Sequence, residues 1–266
     1  MRNPLFTLLA GALMIAASCT KSQNETVENE VPYAIKAKVA AMGFRTEAMQ
    51  QTPEGFLVEG DILLTHAQLD EGPVPSPEIV YAQTEHYRTN KLVKNLPRTI
   101  TVKTSSGSPS YFNTALAEAV SRYNAENLQL SFQVVASSAS ADITVQTFYQ
   151  VSNTLGSAGF PSGSGNPYST IQMNTYWYTA STSTNFLATV IAHEMGHCIG
   201  FRHTDYMNRS YSCGGVAYNE GSAGVGAVHI PGTPTGPSAN SWMLACSDGT
   251  NRPFTSADKA ALSTVY

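Results

Sequence analysis

A chain of 266 residues that is 42% hydrophobic and 13% charged has enough apolar material for a packed core and is not a disordered protein. Fifteen Lys and Arg against nineteen Asp and Glu leave a net charge of -4, which argues against a nucleic-acid partner because phosphate binding needs a clustered basic surface. The length allows one domain or two small ones.

Residues 1–18 read as an export signal. Arg2 is an early positive charge, and the apolar stretch from Leu5 to Ala17 is too short for a comfortable membrane span. Its end, Ala16-Ala17-Ser18-Cys19, resembles a bacterial lipobox with Ala16 where Leu is usual, so Cys19 is the expected lipidation site; the alternative is an ordinary signal with a cysteine nearby. The chain is therefore expected outside the cytosol, held in the bacterial cell envelope (outer membrane or cell surface) by a lipid anchor or else secreted. Residues 19–30, polar through KSQNETVENE, read as a tether.

From Val31 to about Leu69 a short helical pattern (Ile35, Val39, Met42) precedes a strand-like piece, GFLVEGDILL. The proline-rich DEGPVPSPE, residues 70–78, reads as a linker. A larger unit begins near Arg98. It opens with the alternating strand TITVK, after which Ser108 and Pro109 offer an N-cap and a first helical position. Phe112, Ala115, Leu116, Ala119, Val120 and Tyr123 then predict an amphipathic helix over 110–124. LQLSFQV, ADITVQT and TIQMN are further strands, interrupted by the Gly/Ser/Pro loop 156–169. The order predicts a mixed α/β (α+β) sheet domain with few helices.

The segment STSTNFLATVIAHEMGHCIGFRH begins with capping hydroxyls and continues as a buried helix. On it His193 and His197 lie about 6 Å apart along the axis and about 40° apart around it, so both imidazoles project to one side and can share a metal. Glu194 is displaced from that face but can reach a water on the metal. Gly200 permits the positive φ that ends the helix and returns His203 from another direction. Three imidazoles with an open fourth position describe a catalytic zinc site holding one ion. His66 and His86 are expected at the surface, and His229 is a candidate for the cleft wall. Cys213 and Cys246, both in the loop-rich region after the histidines, are the expected disulfide, with Cys198 read as a small buried hydrophobe.

HExxHxxGxxH resembles the signature of the metzincin zinc endopeptidases, and HEMGHCIGFRHTD is most similar to the bacterial dual-action HEIGH metallopeptidases. The resemblance covers roughly Thr99 to Tyr266. It implies a mixed twisted sheet carrying an N-terminal-subdomain helix, an active-site helix, and a small loop-rich C-terminal subdomain that ends in a helix. Thr255 and Asp258 make a capping-box-like start for that last helix. The resemblance also implies a structural methionine turn below the metal, for which Met243 fits better than Met207. Where astacins place a metal-binding Tyr two residues past this methionine, the chain has Ala245. Asp205 either orients His203 or faces solvent.

The implied activity is hydrolysis of peptide bonds in a protein or peptide substrate, by a metal-activated water with Glu194 as general base. Val58-Glu59-Gly60-Asp61 resembles the FxGD of astacin pro-segments, with Val58 for Phe. On that reading residues 31–97 are a pro-segment and linker, Asp61 fills the open zinc position, and 98–266 is the catalytic domain. A β-turn with Gly-Asp at its tip is the alternative. Arg88, Lys91, Lys94 and Arg98 offer processing points. The competing function is a non-enzymatic surface lipoprotein that uses the zinc fold for binding.

Overall fold

Bulky apolar residues on either side of a tight turn make the first hairpin. Tyr33–Ala41 (α1) leads into a three-stranded antiparallel sheet of Gln50–Thr52 (β1), Gly55–Val58 (β2) and Ile62–Thr65 (β3), followed by His66–Glu71 (α2). Val58 faces Ile62 across the turn, where Glu59 and Gly60 take φ of 56° and 93°. Val39, Phe56, Val58, Ile62, Leu64 and Leu69 form a small core that is completed by Phe160 from much later in the chain. The computed structural model describes residues 31–71, 86–217, 219–220, 226–234 and 237–266. The expected export signal, the expected lipidation site Cys19, the expected tether and most of the expected linker lie outside the described residues.

Tyr87–Arg88 (β4) precedes the main sheet, which contains Arg98–Thr104 (β5), Leu130–Val134 (β6), Ile143–Phe148 (β7), Gly156–Ser157 (β8) and Thr170–Asn174 (β9) in the order β6-β5-β7-β9-β8. β5 is parallel to β6 and β7, β7 is parallel to β9, and β8 closes the edge antiparallel to β9, so the sheet is mixed as expected. Ser110–Asn124 (α3) joins β5 to β6 and buries the six residues that the periodicity marks. Burying Phe112, Leu116 and Val120 contributes about 1.5–3 kcal/mol each. The start of this helix differs from expectation. Pro109 stands at the cap itself and Ser108 Oγ turns instead to Ser105 Oγ, 2.9 Å away, because the preceding turn offers it a nearer partner.

Thr184–Cys198 (α4) packs against α3, with Tyr123 Oη donating to Ala192 O at 2.8 Å. Ser210–Cys213 (α5) and Val228–His229 (β10) follow, β10 pairing antiparallel with β4. Ser256–Val265 (α6) ends the chain and carries the full capping box of Thr255 and Asp258. Val31–Tyr266 form one compact unit. The expected division at 98 falls inside it, and residues 86–97 run along the end of α4: Arg202 N donates to Tyr87 O, Thr89 N to Gly200 O, and Val93 N to Tyr266 Oη.

Candidate metal centre

Helix α4 is buried from Leu187 to Cys198, so its histidines project into the protein rather than into water. The hydroxyls ahead of it do not cap it: Ser183 makes no side-chain cap bond, and Thr182 Oγ1 accepts from Thr179 N instead. The other end is set by two glycines. A Cβ on Gly196 would stand 2.5 Å from Met243 Sδ and 3.2 Å from Trp242 Nε1, so the glycine leaves room for these two side chains beneath the helix. Gly200 sits at φ 108°, and a Cβ there would also meet Lys91 O at 2.6 Å. The chain reverses at this point and brings His203 back. The ring centroids of His193, His197 and His203 lie 4.8, 4.9 and 5.3 Å apart.

Each ring is oriented by its far nitrogen. His193 Nδ1 bonds Trp242 O at 2.8 Å, His197 Nδ1 bonds Phe201 O at 2.9 Å, and His203 Nδ1 bonds Glu220 Oε1 at 2.8 Å. All three acceptors are oxygens, so a neutral ring must carry its proton on Nδ1 and turn the Nε2 lone pair to the centre. His197 Nε2 is buried there with no hydrogen-bond partner. Burial and the two neighbouring imidazoles hold its pKa well below the usual histidine range. His197 Nε2 is left without a partner at the point where the three rings converge, and a divalent cation there would satisfy it, so the three residues fit a zinc ion.

Asp61 completes the cluster. Its Oδ2 lies 3.0 Å from His203 Nε2 and 3.6 Å from His193 Nε2. Burial works to raise its pKa, but His203 and the hydrogen bonds from both histidines hold it well below the usual range. The backbone fixes this position: Ala158 N donates to Asp61 O at 2.9 Å and Leu63 N donates to Ala158 O at 2.8 Å, with Ile62 bridged parallel to Ala158 just past β8. The turn after β2 thus adds a short stretch of backbone to the sheet edge beside the histidines. It also walls a cleft of about 690 Å³ lined by Asp61, His193, Glu194, Leu155, Trp177 and Arg252, among others. Glu194 is 2% exposed and its Oε2 has no hydrogen-bond partner. Burial first, and the charge of Asp61 second, push its pKa well above the usual carboxylate range.

Other expected residues stand elsewhere. Asp205 neither orients His203 nor faces solvent. It is buried, accepts Ala245 N at 2.9 Å and Ser212 Oγ at 2.6 Å, and so ties the methionine turn to α5. The disulfide Cys213–Cys246 joins the same two places, and Cys198 is free and buried. His66 is exposed, but His86 is 1% exposed and bonds Asp258 Oδ1 at 2.7 Å, because the segment after the linker is folded into the core. His229 sits in β10 against Thr233, away from the cleft.

The carboxylate that holds His203 is Glu220, which the sequence reading missed. It is buried beside Arg209 (2.7 Å) and Arg202 (3.5 Å), the latter also 3.6 Å from Glu59. Burial works to raise its pKa, but His203 first and the two arginines after it hold it well below the usual range. One signal could have found it: Glu220 is the only acidic residue between Asp205 and Asp248.

A sequence model of the dual-action HEIGH metallo-peptidases matches residues 56–266. Among curated proteins no sequence matches the chain. Among solved structures the chain is similar to myroilysin, at 15% identity and a TM-score of 0.44 over 68% of this chain and 98% of that one. It is also similar to high choriolytic enzyme 1, a hatching enzyme zinc-protease from the medaka Oryzias latipes, at 11% identity and a TM-score of 0.34 over 62% of this chain and 88% of that one.

Proposed function

The chain belongs to the dual-action HEIGH metallo-peptidase family, and from that premise we propose that this zinc metallopeptidase is exported as a zymogen whose own residues 31–71 occupy the metal centre until they are displaced. His193, His197 and His203 would hold the ion. A bound zinc supplies Lewis acidity, lowering the pKa of a water and polarising the scissile carbonyl. Glu194 takes a proton at Oε2 and returns it to the leaving amine, its burial keeping water from competing for that oxygen. Trp242 O, Phe201 O and Glu220 hold the three rings in the productive tautomer.

The observation that carries the zymogen reading is Asp61 Oδ2 at 3.0 Å from His203 Nε2, held by backbone bonds at Ala158. A carboxylate there takes the position that a water would need. Export rests on the apolar stretch from Leu5 to Ala17, and lipid anchoring rests on Cys19. The test is zinc content and hydrolysis of a generic protein by the soluble chain starting after Cys19, before and after limited proteolysis, with and without a chelator. Asp61→Ala is expected to raise the activity of the uncut chain at least about tenfold, the chelator abolishing it in every form. Equal activity of Asp61→Ala and the parent, unchanged on trimming, would reduce residues 31–71 to a spacer or binding module.

A further inference from the structure

Exposed large apolar side chains are few among the described residues, and three aromatic ones stand together. Tyr149, Tyr176 and Trp177 are 70%, 42% and 43% exposed. They lie on the segments that leave β7 and β9. Tyr149 meets Tyr176 edge to face with centroids 6.0 Å apart, and Tyr176 meets Trp177 in the same way at 5.1 Å. Val151, 72% exposed, continues the first segment.

The ladder is built rather than loose. Asn174, fully buried between the segments, donates from Nδ2 to Gln150 O at 2.8 Å and Thr154 O at 3.0 Å, and accepts at Oδ1 from Gln150 N and Tyr176 N. Trp177 Nε1 donates to Ser152 O at 2.9 Å. These bonds fix the backbone that carries the tyrosines and the indole of Trp177 before any ligand arrives, so docking has less to order. Rigid exposed aromatics of this kind supply large contact area for a small loss of side-chain entropy.

Two observations say what the ladder faces. Trp177 lines the cleft that also holds His193 and Glu194, so the aromatic surface is continuous with the place where a polypeptide must lie. No charged residue or histidine occurs between Asp142 and His193, so the two segments that carry the ladder bring no charge of their own to it, and the charged residues of the cleft, Asp61, Glu194, Arg209 and Arg252, come from other parts of the chain. We propose that Trp177, Tyr176 and Tyr149 form a docking platform for a bulky apolar side chain of the polypeptide substrate, aromatic above all, and thereby set cleavage preference at a position outside the scissile bond. This deepens the peptidase reading and rests on it for its catalytic consequence, while the docking itself needs no turnover.

The test therefore has two readouts. In the full zinc-loaded chain Trp177 is the exposed tryptophan and Trp242 is buried at 1%, so tryptophan emission reports the platform directly. A short Gly/Ser peptide bearing one Phe is expected to shift the emission saturably, its all-Gly/Ser counterpart to leave it unchanged, and Tyr176→Ala, which keeps the reporter, to weaken the response. After activation by limited proteolysis, kcat/KM should favour the Phe peptide at one position, and Trp177→Ala should lower the ratio of the two peptides about tenfold while Trp177→Phe keeps most of it. Docking without any cleavage would sink the peptidase reading and leave the platform standing. Cleavage with no aromatic preference, or with a preference that Trp177→Ala leaves intact, would overturn the platform, as would an emission shift produced by soluble glycans or phosphatidylcholine vesicles but not by the Phe peptide.

Discussion

Glu194 lines the cleft beside His193 and Glu220 bonds the far nitrogen of His203, and substituting each by glutamine separates two kinds of dependence. Glu194 lies on the cleft with a buried, unpartnered Oε2, so Glu194→Gln keeps the shape and the three histidines but removes the proton acceptor. It should retain zinc and lose about 10²–10⁴-fold in kcat/KM; full turnover would remove Glu194 from the reaction. Glu220 acts only through His203, so Glu220→Gln should weaken zinc about 10–100-fold in competition with a chelator. It also leaves Arg202 and Arg209 short of a buried charge, at a cost of about 3–5 kcal/mol in folding. Unchanged zinc affinity together with lowered stability would make Glu220 structural only. The sequence shows the first residue plainly and hides the second. His193, Glu194 and His197 are fixed to one another by the local geometry of a helix, and Gly200 by the turn that ends it. Glu220 meets His203 at a sequence separation of 17 with no periodicity to link them, and the carbonyls of Trp242 and Phe201 carry no side-chain identity to read.

At the scale of elements, legibility follows length and locality. α3 and β9 fall where periodicity places them, and α6 starts at its capping box. β4 and β10 are two residues each and exist only because they pair with one another, so no pattern announces them. The methionine turn is held in a similarly non-local way. Asp205 accepts Ala245 N from the turn and Ser212 Oγ from α5, while Cys213–Cys246 joins the same two places over a sequence separation of 33. Closing a loop of that size contributes about 3–4 kcal/mol, and leaving buried donors without their acceptor costs about 1–3 kcal/mol. Asp205→Ala should therefore lower the unfolding free energy measured in urea by an amount in that second range, with the larger loss in the reduced protein, where the second tie is gone. Equal losses in the oxidised and reduced forms would mean that the two ties act on different parts of the turn.

For the whole molecule the question is where the catalytic unit begins, because composition suggests a start near Arg98 and the packing points earlier. His86 bonds Asp258, which also accepts Ser241 Oγ at 2.6 Å and Thr255 N at 2.8 Å, so one carboxylate links the segment after the linker, the approach to the methionine turn and the start of α6. Tyr87 and Val93 are each 3% exposed, and Thr89 N and Val93 N donate to the end of α4 and to Tyr266. Arg88, Lys91 and Lys94 lie on this same packed stretch: Arg88 of β4 pairs with Val228 of β10, Lys91 bonds Glu71, and Lys94 Nζ donates to Gly163 O at 3.1 Å. Burial of two apolar side chains at about 1.5–3 kcal/mol each, with several buried hydrogen bonds at about 1 kcal/mol each, is comparable to the whole stability of a domain, about 5–15 kcal/mol. Residues 31–71 are different, having a core of their own to which the later chain contributes Phe160. A chain beginning at His86 should consequently fold, bind zinc and show a cooperative thermal transition, whereas one beginning at Arg98 should be insoluble or melt without a transition. If the two truncations melt at the same temperature with equal zinc content, residues 86–97 belong with the segment that is removed, and cleavage at any of those basic residues becomes compatible with an active enzyme.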